Sequence, residues 1–549
     1  MGRGQPARRL AGRFTLGGEQ AEADPLLRDA FFVSDDYLAV EVATDPRCFL
    51  VGRTGSGKSA LLEQLEIEHP GHVIRVNPEA LSLTYITDLG VLRYLDSLDV
   101  NLDPLFIALW KHVFLVEVIR HHYKVDSPAA KQNFLTSLGE RIKRDPTKKA
   151  ALDYLNQFES RFWCESDERI KEITQSFERD VEAEAQARFG FAHLGEATLH
   201  GAVHSKMTAE ERIEQTERFQ RVVNETQLPR LHKMVDVLDE DILDSPQYFT
   251  YILVDDLDRD WVDERLVNSL IRCLFRTVLD LKRVRQLKVL VALRTNIFEE
   301  LDFGKRSGGQ EEKFRALALR MRWRRIELTK MLDERTRVAA EHADLTDVNS
   351  VRDLLPPTTK SQGRALDYIL DRTLMRPRDA IAFLNEALGV AAGKPRIDWS
   401  DLREATLPYS RGRLLALRDE WKLTYPDIHK LVLLFKGVKS PLTKDGFTKL
   451  LDEGMLLGTD QDFGGSRWLT DLAEPMWQPH SEDVSWAELY GPLTELLYRI
   501  GLIGCASSAG AAPTYAYDNA EFAEQSAKLT RTSHFAVHPM FHSALEIGT

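Results

Sequence analysis

A glycine-rich octapeptide at residues 52–59 has the residue types and spacing of a phosphate-binding loop. It reads GRTGSGKS and matches the pattern G-x-x-x-x-G-K-[ST] at every specified position. Its glycines let backbone N–H groups curve around phosphate oxygens, Lys58 brings a positive charge, and the Ser59 hydroxyl can join a Mg²⁺ shell. A glycine turn with an incidental lysine is the alternative. The residues predicted to bind nucleotide are Gly52, Arg53, Thr54, Gly55, Ser56, Gly57, Lys58, Ser59 and Ala60.

Two carboxylates follow an apolar run later in the chain. Residues 251–254 read YILV, which is a run of strand length, and Asp255 and Asp256 come directly after it. Hydrolysis of a bound nucleotide needs one acidic group near Mg²⁺ and another group that orients or activates water. We therefore predict Asp255 and Ser59 as metal ligands and Asp256 as the general base. The alternative is a buried strand that ends in a solvated acidic turn.

The next strand candidate also ends in a charged residue. Residues 289–293 read VLVAL, and Arg294 follows them. Because ligands gather at the carboxyl ends of parallel strands, Arg294 is a candidate sensor of the γ-phosphate, with a structural ion pair as the alternative. Asp258 and Arg259, just beyond the acidic pair, could pair locally or reach a neighbouring subunit. The predicted catalytic set is Asp256, Lys58 and Arg294.

These residues need a scaffold in which strands and helices alternate. Residues 48–51 predict a strand, residues 60–65 a helix and residues 72–76 a second strand, and the two apolar runs described above add further strands. The predicted fold class is an α/β P-loop NTPase core with a parallel sheet, a large helical insertion, a helical lid and a C-terminal winged-helix-like region.

The pattern along the chain also predicts domain boundaries. Residues 89–245 are rich in charge and poor in glycine, and an insertion of that length should form its own helical subdomain. Residues 314–392 also read as helices. The predicted segments are 1–25 as a flexible basic tail, 26–88 and 246–310 as the two parts of the NTPase core, 89–245 as the insertion, 311–399 as the lid and 400–549 as the C-terminal module.

The motifs together resemble a known group of proteins. The phosphate loop, the sequence DDLDR at 255–259, Arg294 and the sequence RPRD at 376–379 are similar to bacterial P-loop ATPases of the KAP and STAND/AAA-like assemblage. The likeness is closest to soluble members, several of which are linked to anti-phage defence, and covers about residues 30–400. It implies a lid helix that contacts the nucleotide through Arg376 or Arg378. KAP proteins often carry transmembrane insertions between the two Walker motifs, and this chain has no such span.

Composition bears on the partners of the protein. Its 549 residues include 72 Lys and Arg against 85 Asp and Glu, for a formal charge of -13. This balance argues against a surface coated for nucleic acid but permits a local basic patch. No apolar run approaches the roughly 20 residues of a membrane span, so no membrane partner is expected. We expect a homo-oligomer with a protein partner or effector, and nucleic acid stays open.

The four cysteines lie far apart and support neither a zinc site nor a disulfide framework, so a reducing cytoplasm is expected. Two histidine groups are also poor metal candidates. His200 and His204 lack the glutamate of an H-E-x-x-H motif, and the group at 534, 538 and 542 crosses Pro539. We predict ordinary polar histidines at both places.

Two further patterns leave alternatives open. Arginines at 320, 322, 324 and 325 surround Trp323, and at helical spacing Arg320 and Arg324 share a face. They could supply an arginine finger to a neighbouring subunit, touch DNA phosphates, or pair with the chain's excess acid. Near the C-terminus, residues 496–503 suggest a helix, followed by a wing of two strands at 514–517 and 535–539. Without a basic recognition helix, protein docking is favoured over DNA binding.

The sequence therefore predicts a regulatory ATPase with ATP and Mg²⁺ as cofactors, which couples nucleotide state to conformational change or oligomerisation. Anti-phage defence is implied by the resemblance. A DNA-binding ATPase and a nucleotide-bound scaffold with little hydrolysis are the alternatives, and ATP is not separated from GTP.

Overall fold

The computed structural model describes residues 10, 12, 14–78, 95, 98, 100–123, 136–140, 143, 216, 217, 220, 228–257, 264–301, 311–360, 362–477 and 484–548. The chain divides into two compact units. We call Asp35–Arg53 and Leu61–Arg320 the sheet unit, and Met1–Ser34, Thr54–Ala60 and Met321–Thr549 the helical unit.

The sheet unit contains a five-stranded parallel sheet. Its strands are β1 (Phe49–Val51), β2 (Val73–Val76), β3 (Thr250–Val254), β4 (Leu287–Leu293) and β5 (Ala318–Arg320), in the order β2-β3-β4-β1-β5. Strands β3 and β4 are buried along their whole length, as expected for parallel strands with both faces covered. The predicted α/β core with a parallel sheet is confirmed.

Helices cover this sheet. They are α1 (Asp35–Glu41), α2 (Lys58–Glu68), α3 (Asp103–Tyr123), α4 (Leu228–Val237), α5 (Glu264–Leu281), α6 (Thr295–Glu300) and α7 (Glu311–Ala316), with a π-helical turn at Leu238–Ile242 and a 3₁₀ turn at Pro246–Tyr248. Helix α5 packs on the sheet through Phe275, whose ring stacks on Phe49 of β1 at 3.7 Å between centroids. Both rings are fully buried. The stack therefore fixes α5 against β1, the strand that precedes the phosphate loop.

The insertion prediction needs correction where the structure describes it. Helix α3 is helical as predicted, but it packs in the same hydrophobic core as the sheet and not in a separate subdomain. Its Trp110 indole donates to the carbonyl of Leu270 at 3.0 Å. At its start, Asp103 pairs with Arg272 and with Arg276, both at 2.7 Å. The reason is that α3 is apolar on nearly every side and must be buried. Most of 89–245 lies outside the described residues.

The boundary of the core at residue 310 is also wrong. The sequence predicts residues 311–320 as part of a helical lid. In the structure α7 places Phe314 in the sheet unit's core, at 5.6 Å from the Phe275 ring, and residues 318–320 form β5. Leu319 pairs with Leu50 in parallel register. A three-residue strand has too little pattern to be recognised in sequence, and it forms because β1 offers an unpaired edge. Arg320 and Arg324 therefore do not share a helical face.

The helical unit contains the remaining described helices. They are α8 (Arg325–His342), α9 (Val351–Leu354), α10 (Ala365–Leu370), α11 (Pro377–Val390), α12 (Trp399–Trp421), α13 (Ile428–Leu433), α14 (Lys444–Leu456), α15 (Ser466–Trp477), α16 (Trp486–Arg499) and α17 (Ser526–Arg531). The described part of this unit also has 3₁₀ turns at Ala21–Ala23, Leu457–Thr459 and Pro539–Phe541. Helices α11 and α12 pack through Phe383 and Tyr409, whose rings stack at 4.4 Å.

A small antiparallel sheet lies near the C-terminus. Its strands are β6 (Leu442–Thr443), β7 (Ile503–Ala506) and β8 (His534–Val537), in the order β6-β8-β7. The predicted helix at 496–503 ends at Arg499, and its last residue instead begins β7. Residues 514–517 do not form a wing strand, since Thr514 makes only an isolated bridge to Cys505. The strand predicted at 535–539 does form, as β8, but it pairs with β6 and β7 and not with residues 514–517.

The N-terminal segment is not a flexible tail over its described part. Leu10, Phe14 and Leu16 are buried in the core of the helical unit. The backbone N–H of Leu16 donates to Asn385 at 2.8 Å. The basic residues suggested a tail, but the apolar residues between them fill the core, so residues 14–25 are corrected to a packed segment.

Candidate nucleotide site

The carboxyl ends of three strands of the sheet unit lie side by side. Strand β1 pairs with β4 so that Val51 faces Leu293, and the N–H of Gly52 donates to the Leu293 carbonyl at 3.1 Å. The chain therefore leaves the sheet at Gly52 and Arg53 next to the point where Arg294 leaves β4. Because the strands are parallel, this is the edge where ligands of α/β sheets bind.

The predicted acidic pair follows β3 at the same edge. Val254, the last residue of β3, faces Val291 of β4, so Asp255 and Asp256 leave the sheet on the side of Arg294. Asp256 has φ +60°, a left-handed conformation that is costly for residues other than glycine. Its N–H donates to Asp255 Oδ1 at 2.9 Å. The chain thus turns sharply at the acidic pair. Asp258 and Arg259 lie outside the described residues.

Arg294 is the N-cap residue of α6. It is partly exposed and sits at the junction between the last residue of β4 and the first turn of the helix. The structure thus brings Gly52, Arg53, Asp255, Asp256 and Arg294 to one edge of the sheet unit.

The phosphate loop continues in the helical unit with residues 54–60. Gly55 has φ +80° and Gly57 has φ +97°, so both glycines adopt a conformation that side chains other than glycine rarely take. Helix α2 begins at Lys58, which places Lys58 and Ser59 in its first turn. Backbone N–H groups of a first helical turn have no intrahelical partner and face an anion readily.

Arg376, one of the two lid arginines, is buried in an ion network. It donates to Asp379 at 2.8 Å and to Glu420 at 3.1 Å, and its Nη1 also donates to the Thr54 carbonyl at 2.9 Å. Burial opposes both charges, but the attraction between the groups prevails: the pKa of Asp379 is lowered by Arg376 and Arg413, and the pKa of Arg376 is raised by Asp379 and Glu420. The guanidinium of Arg376 is therefore engaged with protein groups.

Arg378 lies in the first turn of α11 and lines a cavity. The cavity has a volume of about 100 Å³. From the phosphate loop it is lined by Gly55, Gly57, Lys58, Ser59 and Ala60. Burial, followed by the nearby positive charge of Arg376, lowers the pKa of Arg378. The structure therefore brings Arg378, and not Arg376, to the cavity that Lys58 and Ser59 line.

The residues of the loop fit a phosphate-bearing ligand. Among the described residues, neither the Thr54 Oγ1 atom nor the buried Ser56 Oγ atom has a hydrogen-bond partner. Buried hydroxyls without partners are rare, and a ligand oxygen or a water shell would satisfy them. Lys58 and Arg378 bring positive charge to the cavity, whose lining also includes Arg335 and the carboxylates of Glu19, Glu22 and Asp24.

Several residues around the loop were not assigned to the nucleotide site from the sequence. Trp323 donates to the Ser56 carbonyl at 2.8 Å, and Glu420 accepts from the Thr54 N–H at 3.3 Å. The N-terminal segment lines the cavity with Gly18, Glu19 and neighbouring residues. The basic, Trp-containing stretch gave a partial signal for Trp323. Nothing in the sequence pointed to Glu420 or to the N-terminal segment, because tertiary packing brings them to the loop.

The arginines around Trp323 have different environments. Arg324 donates to Glu327 at 2.5 Å, and Arg325 pairs with Asp367 at 3.5 Å and with Asp371. Arg320 lies over the Phe298 ring at 5.7 Å. For Arg324 and Arg325 the structure has the acid pairing that the sequence left open as an alternative.

Metal-ligating groups outside the loop do not form a comparable site. Within the described part of the chain, Glu41, Glu68 and His69 are the group that brings three possible ligand atoms together. Tyr37 already donates to Glu68, and His69 pairs with Glu41 at 3.5 Å. His538 accepts from the Met540 N–H at 3.1 Å, and His200 and His204 lie outside the described residues. No described helix has both the length and the apolar composition that crossing a membrane requires.

Comparison with known proteins gives one domain match in the helical unit. Residues 326–418 match the family described as FunZ-associated C-terminal helical domain. This segment contains Arg376, Arg378 and Asp379, and it ends just before Glu420.

Two longer similarities are weaker. The chain is 23% identical over 442 residues to the putative transposon gamma-delta 80.3 kDa protein of Escherichia coli strain K12. The match covers 78% of this chain and 54% of that protein, so the chain spans about half the length of its curated relative. The solved structure of the Aeropyrum pernix ORC1 protein in complex with DNA is 12% identical and covers 95% of this chain and 93% of its own, with a TM-score of 0.32.

Proposed function

We propose that the protein is a P-loop ATPase that binds ATP with Mg²⁺ and couples its nucleotide state to conformational change or oligomerisation. The phosphate loop is the observation that carries this proposal. A complete motif follows a buried strand, contains two left-handed glycines and ends in a helix that begins at Lys58. This is the arrangement in which backbone N–H groups and one lysine hold phosphate oxygens.

Each polar residue has a role in the proposal. Lys58 and the N–H groups of 55–60 bind the phosphates, Ser59 and Asp255 are the protein ligands of Mg²⁺, and Asp256 orients water for attack. Bound Mg²⁺ would neutralise the charge that develops on the phosphate oxygens. The left-handed backbone of Asp256 supports a special role, since such conformations at residues other than glycine concentrate at functional sites. Arg294 would report the state of the γ-phosphate.

Of the two lid arginines, we assign the phosphate contact to Arg378. Its pKa is lowered by burial and by Arg376, so an anion in the adjoining cavity would relieve an unfavourable charge. Arg376 already has two carboxylate partners. The resemblance implied either Arg376 or Arg378, and this assignment chooses between them.

The expected partners are another copy of the chain and a protein effector. Residues 400–549, the proposed winged-helix-like module, carry 14 Lys and Arg against 20 Asp and Glu. A module that binds DNA phosphates needs a basic surface, so this balance supports protein docking.

A role in anti-phage defence belongs to the proposal only through the resemblance to defence-linked ATPases of the KAP and STAND/AAA-like assemblage. The Escherichia coli relative is named as a transposon protein. Both connect the proposal to mobile DNA. A plaque assay in cells with and without the gene tests the anti-phage role.

Phosphate release from ATP tests the enzymatic proposal. We expect Mg²⁺-dependent release by the wild type and a loss of about 100-fold or more in both Lys58→Ala and Asp256→Asn, because each removes a group that acts on the transition state. Binding of a fluorescent ATP analogue should be lost in Lys58→Ala and kept in Asp256→Asn. Equal background rates in all three proteins would contradict hydrolysis, and retained binding with no turnover would favour the scaffold alternative.

Two additional conditions test the partners. Duplex DNA should leave the rate unchanged, whereas a stimulation that falls with rising salt would favour the DNA-binding alternative, because phosphate contacts release counterions. Light scattering with ATP should give a mass above the 62.6 kDa of one chain. A monomer in every nucleotide state would contradict oligomerisation.

A further inference from the structure

A loop that binds phosphate through its N–H groups must turn its carbonyl oxygens the other way. Buried carbonyls need donors of their own, because an unpaired buried acceptor costs free energy. The partners of the loop carbonyls therefore decide whether the loop holds its binding conformation.

Three consecutive carbonyls of the loop have donors from the same part of the helical unit. The Thr54 carbonyl accepts from Arg376 Nη1 at 2.9 Å, and the Ser56 carbonyl accepts from the Trp323 indole at 2.8 Å. Between them, the Gly55 carbonyl accepts from the Arg378 N–H at 3.4 Å. The two short bonds come from Trp323 and Arg376. Trp323 lies just before the FunZ-associated match, and Arg376 lies within it.

The N–H and the carbonyl of Thr54 are both hydrogen-bonded to buried side chains. Its N–H donates to Glu420 Oε1 at 3.3 Å, and the other oxygen of Glu420 accepts from Arg376 Nη1 at 3.1 Å. Arg376 and Glu420 are paired with each other and each binds Thr54, so they form a closed brace. Their side chains are only 9% and 7% exposed, which limits the freedom of the brace.

The brace does not place net negative charge beside the phosphate loop. In the ion network around it, three positive charges, on Arg376, Arg378 and Arg413, are balanced by three negative charges, on Asp379, Glu420 and the more exposed Glu19. A single unpaired carboxylate at Thr54 would repel a phosphate, but Arg376 compensates Glu420 directly. Because its charges are balanced, the network is compatible with anion binding at the loop.

We infer that Trp323, Arg376 and Glu420 are positioning residues of the phosphate loop. Trp323 and Arg376 hold its carbonyls away from the bound nucleotide, and Glu420 holds Arg376 and the Thr54 N–H. The inference rests on the proposed nucleotide binding and names the residues that prepare the loop for it. They act through the loop backbone and do not touch the phosphates. In this way the helical unit sets the affinity of the loop for nucleotide.

Trp323→Phe is the sharpest test, since it keeps an aromatic ring and removes one N–H donor. We expect the affinity for a non-hydrolysable ATP analogue with Mg²⁺, measured by calorimetry, to fall by about 3- to 10-fold, the usual effect of one hydrogen bond. Trp468→Phe is the matched control. Its indole donates to the Pro426 carbonyl at 2.9 Å, the same kind of bond at a position outside the loop. The control should bind with wild-type affinity.

A second pair of variants examines the brace. Arg376→Met should lower the affinity further than Trp323→Phe, and Arg376→Lys should restore part of it, because lysine can donate to Thr54 but cannot form the fork with Asp379 and Glu420. Steady-state phosphate release should show a raised KM with kcat changed less than about 2-fold, as expected for residues that prepare binding. Nucleotide should also change the tryptophan fluorescence of the wild type more than that of Trp323→Phe.

The outcomes separate the two proposals. Wild-type protein that fails to bind the ATP analogue would overturn the proposed function and this inference with it. Wild-type binding together with unchanged affinity in Trp323→Phe, or an equal loss in Trp323→Phe and Trp468→Phe, would overturn the positioning role alone.

Discussion

Gly55 lies directly against Arg378. A Cβ atom at Gly55 would come 2.7 Å from the Cβ atom of Arg378, closer than such atoms approach in folded proteins. The same substitution at Gly57 would meet only the Trp323 ring at 3.8 Å and Met321 at 3.9 Å, which are ordinary contacts. The two glycines of the phosphate loop therefore share a left-handed backbone but differ in the space around them.

This difference predicts unequal costs for two alanine substitutions. Gly55→Ala and Gly57→Ala should each cost about 1–2 kcal/mol for a left-handed alanine, and Gly55→Ala should cost about 1–3 kcal/mol more because it overpacks against Arg378. Urea unfolding followed by tryptophan fluorescence measures both. Equal destabilisation by the two variants would contradict the close contact between Gly55 and Arg378.

The buried Asp379 carboxylate should make stability depend on acid pH. Its pKa lies below the ordinary value of 3.8, because Arg376 and Arg413 outweigh the effect of burial. The unfolded chain thus binds a proton more readily than the folded one, so the stabilisation is complete above about pH 4 and is lost as the pH falls through the folded-state pKa. Asp379→Asn should cost about 3 kcal/mol at pH 7. We expect the gap between wild type and variant to narrow as the pH falls below about 4, and a gap independent of pH would contradict this.

The N-terminal segment should be anchored by the ion pair between Arg335 and Asp24. The two charged groups are 2.7 Å apart, with side chains 7% and 2% exposed, and Arg335 also donates to the Leu16 carbonyl at 2.9 Å. Arg335→Met leaves Asp24 buried without its partner and should cost about 3–5 kcal/mol. It should also speed proteolysis of residues 14–27.

Arg337→Met is the control on the same helix. Arg337 pairs with Glu334 and Glu341 at the surface, where such pairs contribute about 0–1 kcal/mol. If Arg337→Met speeds proteolysis of residues 14–27 as much as Arg335→Met does, the ion pair between Arg335 and Asp24 is not the anchor.

The described cysteines should react slowly in the folded protein. Burial raises the pKa of the Cys48 and Cys505 thiols to about 12 and raises that of Cys273 as well. Thiolate is the reactive form, so at pH 8 these thiols should react with an aromatic disulfide reagent only after unfolding. Cys164 lies outside the described residues, and a Cys164→Ser protein removes it from the assay. Rapid reaction of that protein before unfolding would mean that a buried cysteine is accessible.

The sequence was informative wherever a function or a strand depends on neighbouring residues in the chain. The phosphate loop, its flanking strand and helix, and the strands at 251–254 and 289–293 are all local patterns, and the structure contains each of these elements. Asp255, Asp256 and Arg294 leave the sheet at one edge, and their contact with the same nucleotide as Lys58 and Ser59 remains a prediction.

Features that depend on distant residues were predicted less well. Strand β5 is three residues long and exists because β1 offers it a partner. Helix α3 reads as part of an insertion, yet its apolar surface joins the core of the sheet unit. The N-terminal segment looks like a basic tail until Leu16 and Asp24 are placed against α8 and α11.

The sequence by itself determined the α/β class of the core and predicted phosphate binding at the loop, because glycine conformation, charge and apolar runs are properties of short segments. Only the tertiary structure distinguished Arg378, which lines the cavity, from Arg376, which braces Thr54 with Glu420. These two arginines differ by two positions in the chain, and their roles depend on partners that folding brings from residues 54 and 420. Long-range burial and charge pairing decide between them, and no local pattern contains that information.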